Sequence, residues 1–218
     1  MSGTLDAIEA ALRERGLAPR GAFHPDASDG VAGGTIVLAG QVGASHWQRF
    51  AVERRAEPDP LDRWSARVLA EVARRFGARV ILPNDGPPHP PFQRWAQRAE
   101  PVHVSPLGLL IHPDYGLWHA YRGALAFEER LALPERDARP SPCATCRDQP
   151  CRTACPVGAF TATGFDATGC ASHLRSGRGD PCFDAACLAR AACPVGLDHR
   201  YPPEASRFHL TAFLRLVG

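Results

Sequence analysis

The chain has 218 residues, 44% of them hydrophobic and 22% charged, with a formal net charge of +2. That is the make-up of a soluble globular protein with room for one large domain or two small ones. It excludes a disordered chain, supplies no electrostatic case for a nucleic-acid partner or a membrane surface, and offers no apolar run long enough to span a bilayer.

Residues 4–15 put Leu5, Ile8 and Leu12 on one helical face, with Thr4 placed to cap the helix and Gly16 to stop it. Glycine-rich GVAGG leads into TIVLAG, residues 35–40, an unbroken apolar run that suits a strand buried on both faces. QVGASHWQRF then allows a short helix from Ser45. Asp59 as N-cap and Pro60 in the first turn open the clearest helix of the chain. Its apolar stripe is Leu61, Trp64, Val68, Leu69, Val72 and Phe76, and Gly77 ends it. Trp64 and Phe76 fall on that stripe and read as core. ARVIL, residues 78–82, follows as a second short buried strand and completes a strand-helix-strand unit.

NDGPPHPPF, residues 84–92, has four prolines in nine positions, so it is neither helix nor sheet interior and serves as a stiff wall. QRWAQRAE, residues 93–100, reads as a short helix. LGLLIH (107–112) and WHAYRGALAF (118–127) read as strands, with HPDYG the turn between them. LPERDARPSP, residues 133–142, is polar, proline-punctuated and aperiodic, which predicts a linker. The predicted organisation is α+β: a first domain over residues 1–132, the linker, and a second domain over 143–218. The amphipathic tail ASRFHLTAFLRLVG folds back over a face of it.

All eight cysteines lie in that second domain. Cys143, Cys146, Cys151 and Cys155 sit in CATCRDQPCRTACPVGAF, Cys170 stands alone, and Cys182, Cys187 and Cys193 sit in CFDAACLARAACPVGLD. Both halves end in Cys-Pro-Val-Gly, with Cys155 and Cys193 38 residues apart, the mark of a diverged duplication and of two metal sites. Disulfides, zinc and iron-sulfur clusters compete for such a set. No apolar signal segment follows Met1 and the rest of the chain is cysteine-free, which speaks for a reducing cytoplasm and against a disulfide scaffold. Zinc ribbons want two facing Cys-x-x-Cys knuckles, and only Cys143 and Cys146 have that spacing. Iron-sulfur ligation wants three close cysteines and a Cys-Pro whose thiolate serves the other cluster, and both halves can be read that way.

The segment resembles the two-cluster bacterial-type ferredoxin domain, with CPVGAF matching its Cys-Pro signature. It has two more residues between Cys146 and Cys151 than that family, and a more widely spaced second half. The resemblance implies two 4Fe-4S clusters. Cys143, Cys146 and Cys151 would share one with Cys193, and Cys170, Cys182 and Cys187 would share the other with Cys155.

GLLIHPDYGLWHAYRGAL carries a second resemblance, through Gly108, His112, Pro113, Tyr115, Gly116, Trp118, Arg122 and Gly123. It resembles the CblC-type cobalamin-processing proteins and, more distantly, the epoxyqueuosine reductases and corrinoid reductive dehalogenases. DPLDRW and GGTIVLAG extend the match over roughly residues 30–127. The resemblance implies a nitroreductase-like α/β sandwich that binds cobalamin through Gly108, His112, Tyr115, Trp118 and Arg122, behind the proline-rich wall of residues 87–91. Epoxyqueuosine reductases also place a two-cluster domain after such a core, with a lone cysteine that parallels Cys170. Read as residues alone, His112 suits a structural partner of its turn, Trp118 suits the core, and Arg122 in an apolar strand needs a partner.

The expected function is cytoplasmic iron-sulfur redox chemistry in which two clusters, charged by an unidentified donor protein, reduce a bound corrinoid. The competing expectations are a ferredoxin-type carrier with a docking domain, an epoxyqueuosine-reductase-like enzyme, and a flavin protein on the same core.

Overall fold

The computed structural model describes residues 2–218, with side chains from Thr4 onward. In chain order the elements are α1 (Ser2–Glu14), β1 (Ala18–Phe23), β2 (Thr35–Val42), α2 (Trp47–Glu53), α3 (Pro60–Phe76), β3 (Arg79–Ile81), α4 (Phe92–Ala99), β4 (His103–Val104), β5 (Leu110–Ile111), β6 (His119–Phe127), β7 (Phe160–Thr161), β8 (Gly164–Phe165), α5 (Ala167–Arg175), α6 (Asp180–Ala185), α7 (Leu188–Ala191) and α8 (Pro203–Leu216). The protein is α+β, with one four-stranded antiparallel sheet and two-stranded pairs β4-β5 and β7-β8. No helix among the described residues is long and apolar enough to cross a membrane.

By its contacts the chain forms two compact units, Met1–Pro101 with His119–Ala138, and Val102–Trp118 with Arg139–Gly218. The sequence reading has a single break at residues 133–142 and keeps Val102–Trp118 in the first domain. The contacts put that segment with the cysteines instead.

In the first unit the strand order is β1-β2-β6-β3, every neighbour antiparallel. β2 is the expected TIVLAG strand, buried from Thr35 to Gln41, which is why it carries no alternation. α3 buries Leu61, Trp64, Val68, Leu69 and Val72, and the Trp64 indole donates to Glu53 at 2.8 Å. Asp59 precedes it but makes no side-chain cap: its φ of 46° is left-handed and carries the carboxylate off the orphan amides. β1 is absent from the sequence reading, because APRGAF has neither alternation nor β-branched residues. It holds the fully buried Arg20, whose guanidinium donates twice to one Glu100 oxygen, at 2.7 and 3.0 Å. Tyr121 donates to the same oxygen at 2.7 Å.

The second unit is short helices, 3-10 turns at Pro142–Ala144, Pro150–Arg152 and Leu197–His199, and the two strand pairs. Little regular structure is needed where side chains converge on inner sites. The expected strand over residues 107–112 shrinks to Leu110–Ile111. The amphipathic tail forms α8, which buries Ala205 and Ser206 and ties Arg207 to Asp184 of α6 at 2.6 Å.

Candidate functional site

Val102–Trp118 belongs with the cysteines because its apolar side chains share their core. Leu107, Ile111 and Leu117 pack in one cluster with Cys151, Ala189 and Cys193. The two turns also meet backbone to backbone. A Cβ on Gly116 would stand 2.0 Å from the Val195 carbonyl oxygen, and one on Gly196 would stand 2.3 Å from the Tyr115 carbonyl. Only glycine at both places lets the HPDYG turn lie against the second Cys-Pro-Val-Gly turn. Arg190 of α7 locks the join by donating from Nε and Nη2 to the Leu117 carbonyl at 3.0 and 2.5 Å. Its guanidinium lies over the rings of Trp118 and Tyr201, 4.4 and 4.6 Å from their centroids.

The eight cysteines are all free thiols, and they gather in two sets of four. Cys143, Cys146, Cys151 and Cys193 line a first hollow, closed by apolar side chains such as Ile111 and Val195. Cys155, Cys170, Cys182 and Cys187 line a second, closed by Phe160, Leu174 and Leu210 among others. Each set takes three cysteines from one half of the motif and the Cys-Pro cysteine of the other half. Each hollow is small, about 20 Å³. Among the described residues no three His, Cys, Asp or Glu converge on one point as a single metal ion requires. A zinc ion and a four-iron cluster can each be held by four thiolates. Four thiols, no carboxylate and walls that are apolar but for Gln149 at the first hollow and His173 at the second make a donor set that fits an iron-sulfur cluster.

Burial pushes the thiols up: Cys143, Cys151, Cys182, Cys187 and Cys193 are all raised, and Cys170 reaches about 11. Sulfur-sulfur repulsion adds to this strictly within each set. Cys151 feels Cys193, Cys143 and Cys146, while Cys170 feels Cys187, Cys155 and Cys182. Opposing the rise, backbone N–H groups of Ala189 and Arg190 bond Cys187 and that of Val195 bonds Cys193. The Ala159 N–H donates to Cys155 Sγ at 3.3 Å. The backbone is thus arranged to favour the thiolate form at these sulfurs.

A larger hollow of about 790 Å³ adjoins the second set, since Cys170 and Cys187 are part of its wall. Its other walls are the loop of residues 105–109, the β7-β8 hairpin, Arg190, Leu210 and Phe213. That size lies within the range of small-molecule sites. Largely apolar walls with hydroxyls at Ser105, Thr161 and Thr163 and the Arg190 guanidinium suit a largely apolar ligand with polar edges.

Of the five residues expected to hold a corrinoid, four lie in the second unit. Gly108 lines the large hollow. His112 is buried, stacks on Tyr115 with centroids 4.1 Å apart, and its Nδ1 accepts from the Asp114 N–H at 3.0 Å. Trp118 is fully buried under Arg190. Arg122 lies in the first unit, where Nε donates to Gln41 at 3.0 Å and Nη1 pairs with Asp62 at 3.3 Å. The proline wall does bound a hollow, of about 370 Å³ in the first unit, but Asp29, Arg79, Arg94 and Trp95 line it and none of the five does.

Sequence reasoning missed Arg190, His173 and the β7-β8 hairpin as parts of the site. Arg190 sits among alanines between two cysteines, a signal that was legible. His173 follows Cys170 by three residues, and so shares its helix face. A comparison with known families and with curated proteins finds no match for the chain, so the functional reading rests on these residues alone.

Proposed function

We propose that the protein is a two-cluster iron-sulfur redox protein that passes electrons to a corrinoid, with a nitroreductase-like first unit and a ferredoxin-like second one. The observation that carries this reading is the division of eight cysteines into two sets of four, each completed by the Cys-Pro cysteine of the other half. When bound, the clusters would supply one-electron transfer and a corrinoid would supply a reducible cobalt. The chain's own work is to hold and shield. Cys143, Cys146, Cys151 and Cys193 bind one cluster, and Cys155, Cys170, Cys182 and Cys187 bind the other. Leu174, Leu210 and Ile111 keep water from the sulfurs, and backbone N–H groups ease the negative charge there. Beside the second set, Gly108 and the Ser105, Thr161 and Thr163 hydroxyls offer the corrin a wall and hydrogen bonds to its amide edge.

Anaerobic reconstitution followed by metal and sulfide analysis tests the first half of this reading, and about eight irons with matching sulfide per chain are expected. Zinc without sulfide would sink it. Titration with hydroxocobalamin and cob(II)alamin tests the second half, and a shift of the absorption spectrum toward the base-off form is expected. Intact clusters with no spectral change at high micromolar protein would leave a ferredoxin-type carrier.

A further inference from the structure

His173 is a half-buried side chain whose inner ring nitrogen the fold does not employ. It lies on α5 one turn beyond Cys170 and lines the second hollow together with Cys155, Cys170, Cys182 and Cys187. Its Nε2 is shut off from solvent and has no hydrogen-bond partner among the described residues. A buried ring nitrogen without a partner costs free energy comparable to a lost hydrogen bond, and the fold does not relieve that cost. The other side chains around the hollow are apolar, as with Leu174 and Leu210, or are the thiols themselves.

We propose that His173 donates its Nε2–H to the sulfur of the cluster held by Cys155, Cys170, Cys182 and Cys187, and thereby raises that cluster's reduction potential. The inference rests on the two-cluster reading above. A neutral imidazole carries one N–H, and a neighbour that only accepts, as thiolate and sulfide do, selects the tautomer with the proton on Nε2. Hydrogen bonds to the sulfurs are among the levers that set cluster potentials, because they stabilise the reduced form, which carries the extra negative charge. The bond biases the electron toward the set whose Cys170 and Cys187 also wall the large hollow.

The test is a redox titration of the full reconstituted chain, followed by paramagnetic resonance, in wild type, His173→Leu and His173→Gln. Iron is counted in each, and the two clusters are told apart by the signals altered in Cys182→Ser and Cys151→Ser. His173→Leu keeps the apolar bulk and removes the donor. It is expected to lower the reduced-to-oxidised ratio of the second cluster about tenfold at fixed poise, a fall of about 59 mV for a one-electron couple. The first cluster's midpoint and the iron content are expected to stay as in wild type. His173→Gln retains an N–H and is expected to restore most of the shift. Unchanged midpoints in His173→Leu overturn the assignment, as does an equal fall in His173→Gln, which would mark the ring as packing. Loss of iron in His173→Leu overturns it too, by making the residue structural. Failure of wild type to take up iron and sulfide shows instead that the cluster reading itself is wrong.

Discussion

Replacing Cys193 by Ala asks whether ligation follows position in space or position in the chain. By neighbourhood in sequence, Cys193 belongs with Cys182 and Cys187; in the fold it lines the hollow of Cys143, Cys146 and Cys151. Each hollow has four thiols, so one complete cluster is at stake in a single substitution, and iron is expected to fall from about eight to about four per chain. The double variants sharpen this, because changes in one unit of function are non-additive while changes in independent sites add. Cys143→Ala with Cys193→Ala removes two ligands of the same cluster and is expected to lose no more than either alone. Cys182→Ala with Cys193→Ala strikes both clusters and is expected to leave almost no iron. Three thiolates can retain a three-iron remnant, so the spectra decide where the counts do not. One resonance signal is expected to change in Cys143→Ala and Cys193→Ala, and the other in Cys182→Ala and Cys155→Ala. If Cys193→Ala and Cys182→Ala alter the same signal, the spatial partition is refuted.

Glu100→Gln leaves the fully buried Arg20 guanidinium without its counter-charge, which costs about 3 to 5 kcal/mol, so the melting temperature of the first unit is expected to fall by roughly 6 to 20 °C. A shift under about 2 °C in a thermal melt would show that Gln41 and Tyr121 suffice for Arg20. Gly116→Ala puts a Cβ into the Val195 carbonyl at a φ of 56° and is expected to cost more than about 1 kcal/mol and to impair loading of the cluster held by Cys193. Full iron content and an unchanged melt in that variant would count against the close approach of the two turns. Metal-free, reduced protein is expected to lose stability between about pH 9 and pH 11. Burial holds the Cys170 proton up to about 11 against an ordinary value of 9.0, so the folded chain binds it more tightly than the unfolded chain does. The stability this contributes is complete below 9 and is lost as pH rises through 11. The other raised thiols and the buried Tyr121 hydroxyl, held above its ordinary 10.0, push stability the same way in the upper part of that window. Equal urea midpoints at pH 8 and pH 10.5 would contradict it.

The elements legible in the sequence were those with a strong period or an unbroken apolar run, namely α3, β2 and β6. What lay outside that reach was decided by tertiary partners. β1 is strand only because β2 and the Arg20-Glu100 pair hold it there, and no local preference of Pro19, Arg20 or Gly21 announces it. The face of Leu107, Ile111 and Leu117 reads equally well as facing either unit, since an apolar stripe does not name what covers it. The cysteine spacing pointed at once to two groups of thiols, and the fold brings them together as two sets of four. The hollow beside it stayed hidden, being walled by loops whose residues have no common pattern. Arg190 and His173 were missed because a single polar residue on a short helix looks solvent-facing until its burial is seen.

Because Val102–Trp118 is lent to the cysteine unit from the middle of the first, the chain crosses between the two units three times. Neither unit is therefore a contiguous stretch that a single cut could free. A fragment beginning at Arg139 would carry all eight cysteines yet lack Leu107, Ile111 and Leu117, the Leu117 carbonyl that anchors Arg190, and Gly116 under Val195. Gene fusions that swap one half for a relative's half would succeed only when residues 102–118 travel with the cysteines.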